Sequence, residues 1–101
     1  MIEISRFEHG ITIKGHAEYA KHGDDIVCAA VSMLAQTLIA SFEALTEDTI
    51  QYDLQPGWVD IRYRKLSANA QLLISSFFVG ATLLADNYPA NVQIVQAWKT
   101  E

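Results

Sequence analysis

The chain has 101 residues, half of them hydrophobic and 19% charged, which suits one domain with a modest core and is too apolar for a disordered segment. Seven basic residues against twelve acidic ones leave a net charge of −5. That balance argues against direct nucleic-acid binding, because phosphate contact needs clustered Lys and Arg. A lone cysteine, Cys28, cannot close an internal disulfide and fits a reducing compartment. The opening residues, MIEISRFEHG, have no basic segment followed by an apolar run, so no signal peptide is expected. The longest apolar stretches are interrupted by Ser, Gln, Thr and Glu. No membrane span is therefore expected, and a soluble cytoplasmic protein is the default.

Met1 to Phe7 alternates, with Ile2 and Ile4 on one side and Glu3 and Ser5 on the other, the pattern of a strand. Glu8-His9-Gly10 reads as a turn in which Gly10 is available for a positive φ. Ile11 to Lys14 alternates again, so residues 1–15 are expected to form a β-hairpin. Gly15 to Gly23 has no periodicity and reads as a polar loop. Asp24 or Asp25 then caps a helix, since a carboxylate accepts the unpaired N–H groups of a first turn. From Ile26 the apolar residues Val27, Val31, Leu34, Leu38, Phe42 and Leu45 recur at three- and four-residue steps, predicting a helix that ends near Leu45 to Asp48. Few charges interrupt it, so burial on more than one side is expected.

Thr49 to Leu54 and Trp58 to Tyr63 are two further strands. Gln55-Pro56-Gly57 lies between them and signals a turn, because Pro presets φ and Gly tolerates the reversal. Ser67 or Asn69 opens a second helix that runs to about Asp86. Its apolar face is Leu72, Leu73, Phe77, Val79, Gly80, Leu83 and Leu84, and the mid-helix Gly80 points to close packing. Asn87-Tyr88-Pro89 stops it, and Val92 to Trp98 reads as a short last strand. The order is ββαββαβ. Packing both helices on one face of a mostly antiparallel sheet buries every apolar stripe, giving a two-layer α+β domain.

The chemistry concentrates in Gly15 to Ser32, GHAEYAKHGDDIVCAAVS. Cys28 falls near the start of the first helix, and His16 lies twelve residues earlier, across the loop. Free cysteine has a pKa near 8.5, so only about 3% is thiolate at neutral pH. A catalytic thiol needs an imidazole to take its proton or the positive end of a helix. The helix start also offers N–H donors for an oxyanion. Asp24 and Asp25 oppose a thiolate but can orient a histidine. Spacing alone favours a core role for a cysteine in an apolar helix. His9, His16, His22 and Cys28 lack the paired spacing of a zinc site.

The literal string is more specific. Gly15-His16-Ala17, Gly23, Asp25-Ile26-Val27-Cys28-Ala29 and Val31-Ser32 closely resemble the signature of the ribosomal-processing cysteine protease (Prp) family. The resemblance is tight over residues 15–32 and loose over the rest. It implies that residues 1–101 form a single cysteine protease domain. The family removes a short N-terminal extension from a large-subunit ribosomal protein (L-twenty-seven). By position, Cys28 would be the nucleophile and His16 the general base. Asp25 and Ser32 match supporting positions, and Gly15 and Gly23 match a flexible loop that moves for substrate. The resemblance further implies a homodimer without a cofactor. The alternatives of other classes are a non-catalytic ribosome-associated binding module with a structural cysteine, and a redox-sensing thiol that would need an external partner.

Overall fold

The computed structural model describes residues 1–16 and 25–96. The elements follow the expected order. Strands β1 (Ile2–Phe7) and β2 (Gly10–Lys14) precede helix α1 (Ile26–Leu45). Strands β3 (Gln51–Gln55) and β4 (Trp58–Arg62), helix α2 (Ala68–Asn87) and strand β5 (Val92–Gln96) follow. The five strands form one sheet in the order β3-β4-β2-β1-β5. The β1–β2, β2–β4 and β3–β4 pairs are antiparallel. The last strand instead lies parallel to β1, with Ile2 opposite Val92 and Ile4 opposite Ile94. The α2 helix joins β4 to β5 and carries the chain past β2 and β1 to the far edge of the sheet, the crossover needed for strands that run in the same direction.

Alternation places Ile2 and Ile4, Ile11 and Ile13, Val59 and Ile61 on one sheet face. These six are buried, in one cluster with Val27, Val31, Ala35, Leu38 and Phe42 of α1 and Ala70, Ile74, Phe77, Phe78 and Ala81 of α2. Asp25 caps α1 and Ser67 caps α2, both polar residues that accept first-turn N–H groups. Arg6 lies 4.6 Å from the centroid of the Phe78 ring, a cation–π contact. Phe77 and Phe78 pack edge to face.

Three local expectations change. Gly10 is the first residue of β2 and does not take a positive φ. Its small size matters instead, because a Cβ there would lie 2.8 Å from the Ile61 carbonyl oxygen. The α1 helix buries one stripe rather than several sides, and Met33 is 61% exposed. On α2, Leu72, Val79 and Leu83 are likewise exposed, while a Cβ at Gly80 would meet Leu34. Finally, the polar interruptions do not shorten the helices. Each has 20 residues and is long and apolar enough to cross a membrane by length and composition, with mean hydropathy 1.7 for α1 and 1.5 for α2. Here each lays its buried stripe into the shared core.

Candidate active site

The α1 helix fixes Cys28. Asp25 is extended and its Oδ1 accepts the N–H of Val27 at 2.9 Å and that of Cys28 at 3.0 Å. Two of the first-turn donors are satisfied in this way. They are committed to the cap rather than aimed at an oxyanion, so Asp25 acts on Cys28 through the backbone. Cys28 is half-buried and packs against the core. Ser32 follows one turn later on the same helix face and is exposed.

His16 follows the end of β2. Its main chain is tied on both sides. The Met1 nitrogen donates to the His16 carbonyl oxygen at 2.7 Å, and the Gly15 N–H donates to the Gly57 carbonyl oxygen at 3.0 Å. Gly15 has φ +99°, a region that side chains other than glycine rarely adopt. A Cβ at that position would also collide with the Met1 carbonyl oxygen.

These segments meet around one cavity of about 390 Å³. The sheet contributes Ile2, Ile13 and Val59 to its wall, and α1 contributes Cys28, Val31, Ser32 and Ala35. Gly15 and His16 close one side, and the β3–β4 turn from Leu54 to Trp58 forms the rest of the rim. The structure thus brings His16, Cys28, Ser32 and Gly15 to a single apolar cleft with an imidazole and a thiol in its lining. Asp25 sits behind it as the helix cap. Gly23 lies outside the described residues, as do Tyr19, His22 and Asp24.

Leu54, Pro56, Gly57 and Trp58 were not expected at the site. The Pro-Gly pair signals a turn, but nothing local says that the turn folds against His16. Trp58 is half-buried, with the Lys14 Nζ 5.2 Å from its ring centroid.

A two-layer α+β fold with a thiol at a helix start and an imidazole in the same cleft suits a thiol hydrolase, and the comparisons with known proteins bear directly on the class. The family model for cysteine protease Prp matches residues 1–93. The ribosomal processing cysteine protease Prp of Mycoplasma pneumoniae is 30% identical over 101 residues, covering 100% of both chains. That of Mycoplasma genitalium is 30% identical over 94 residues, covering 93% of this chain and 94% of the relative. A crystal structure of an essential ribosomal processing protease Prp from Staphylococcus aureus, in complex with a covalently linked product peptide, superposes with a TM-score of 0.91. It covers 96% of this chain and 100% of the other at 22% identity, a likeness of fold. The protein is of the cysteine protease class. It belongs to the cysteine protease Prp family.

Proposed function

We propose that residues 1–101 act as a single protease domain that removes the N-terminal extension of a large-subunit ribosomal protein (L-twenty-seven) during ribosome maturation, with Cys28 as nucleophile and His16 as general base. The observation that carries this is the common cleft: Cys28 and His16 line one cavity although they come from different elements. Its apolar walls suit an apolar or aromatic side chain of an extended peptide. Relatives that match nearly the whole chain are named as ribosomal processing cysteine proteases.

In the proposed cycle the His16 imidazole takes the Cys28 thiol proton, and the sulfur attacks the scissile carbonyl carbon. The tetrahedral adduct collapses as the imidazolium protonates the leaving amine, which departs as the mature N-terminus. The remaining thioester is hydrolysed by a water that gives its proton to His16. Asp25 holds the Cys28 backbone through the cap, and Ser32 presents a hydroxyl at the cleft. The reaction needs no metal or cofactor, and a reduced cytoplasm keeps the thiol available.

The same reading includes a homodimer. Residues 26–42 and 68–85 contain no Asp, Glu, Lys or Arg. A groove of about 420 Å³ between the helices, lined in part by Met33, Leu34, Leu73, Phe77 and Gly80, lies open. Charge depletion with exposed aliphatic side chains is the composition of an interface core.

The test is to incubate the purified protein with the full-length ribosomal precursor and read the new N-terminus by mass spectrometry. A single defined cut supports the assignment, and an intact precursor contradicts it. The packing of Cys28 against the core favours a second reading, a binding module with a structural cysteine. Alkylation separates the two, since a packed thiol is inert and an activated one reacts.

A further inference from the structure

We propose that Gly57, at the tip of the β3–β4 turn, is a positioning residue for His16: the turn is the seat against which the imidazole is held in the cleft that Cys28 also lines. This rests on the assignment of His16 as the base. A Cβ at position 57 would stand 2.8 Å from His16 Nε2, 3.1 Å from Cε1 and 3.6 Å from Cδ2. The Nε2 edge of the ring therefore lies directly on the glycine backbone, in space that any other residue would occupy. The Gly57 carbonyl oxygen also accepts the Gly15 N–H at 3.0 Å. One residue of the turn thus fixes the main chain just before His16 and bounds its side chain.

The choice of turn points the same way. Gln55 pairs with Trp58, so Pro56 and Gly57 form a two-residue loop. Hairpins of this length favour types I′ and II′, which need a positive φ at the first loop position. Proline there is locked near −65° and cannot supply it. The positive φ falls instead on Gly57, at +72°, the arrangement of a type II turn, which matches strand twist less well. A loop selected for hairpin stability alone would begin with Gly or Asn. Departures from local preference of this kind concentrate at functional sites.

A positive φ by itself calls for Gly57, so the test must separate backbone from contact. Asn tolerates the left-handed region but carries the Cβ that meets Nε2. Gly57→Asn and Gly57→Ala are compared with wild type and His16→Ala for kcat, KM, the pH profile of cleavage, and the NMR titration of the His16 Cε1–H. Gly57→Asn should melt close to wild type yet lose about 10- to 100-fold in kcat, the scale of a small displacement of a reacting group. KM should move much less, and the pH profile and His16 titration should shift together. In wild type, a nuclear Overhauser contact between the His16 Cε1–H and the Gly57 α-protons is expected and requires no variant. An inactive His16→Ala beside a Gly57→Asn with wild-type kcat and pH profile, or the lack of that contact, overturns the positioning role alone. Full activity of His16→Ala overturns the base assignment and the positioning role with it.

Discussion

The Asp25 carboxylate accepts the amide hydrogen of Cys28 at 3.0 Å, so the residue that starts α1 also anchors the backbone of the thiol. Asp25→Ala should cost about 1 kcal/mol, the usual value of a lost cap, and lower the melting temperature by roughly 4–8 °C. Cleavage should fall further than the unfolded fraction explains, because the Cys28 amide loses its partner. Asp25→Asn keeps the acceptor and should restore both. Thermal circular dichroism and kcat on the same samples check this. A stable but inactive Asp25→Asn would show that the charge matters and not the cap.

Asp48, just beyond α1, receives the Ser67 hydroxyl at 2.6 Å and the Ser67 N–H at 2.8 Å. Ser67 in turn caps α2, so this carboxylate ties the end of one helix to the start of the other. The Ser67 hydroxyl, and then its N–H, hold the Asp48 carboxyl below its ordinary value. A depressed carboxyl stabilises the fold above the unfolded value, about 3.9, and that contribution is lost as pH falls through the folded value. Asp48→Ala should therefore melt below wild type at neutral pH, with the gap closing as pH drops below 4. A gap that stays constant down to pH 3 would contradict the assignment.

On the outer side of the helix layer, Met33 and Val79 are 61% and 64% exposed in a face without charges. Sedimentation equilibrium should give twice the 11.2 kDa chain mass. Met33→Glu with Val79→Glu should give the single-chain mass while the circular dichroism stays unchanged, because a buried unpaired charge opposes association. A wild-type protein at the single-chain mass would rule out the proposed dimer.

Local pattern made much of this fold legible. Ile2 and Ile4 against Ile11 and Ile13 announced the first hairpin, the Asp24-Asp25 pair the cap, and Pro56-Gly57 the second turn, because each depends on residues adjacent in the chain. The parallel seating of β5 beside β1 depends on residues far apart and left no local trace. For the same reason the apolar count of α1 overstated its burial: Val31 and Leu45 both fall on the periodic apolar stripe, and only the tertiary packing buries the first and leaves the second 65% exposed. At the site, the motif from Gly15 to Ser32 located the thiol and one imidazole. It could not show that Gly57, from a different hairpin, lies against that imidazole.

The proposal that Cys28 is the nucleophile is tested most directly by trapping the covalent intermediate it requires. Wild-type protein is mixed with the ribosomal precursor, quenched in acid within the first turnover, and weighed intact by mass spectrometry. The expected species is the protein plus the N-terminal extension less one water, with the added mass mapped to the peptide containing Cys28. Cys28→Ala should remain folded by circular dichroism, carry no added mass and leave the precursor uncut. Cleavage by folded Cys28→Ala at the wild-type rate would contradict the nucleophile assignment.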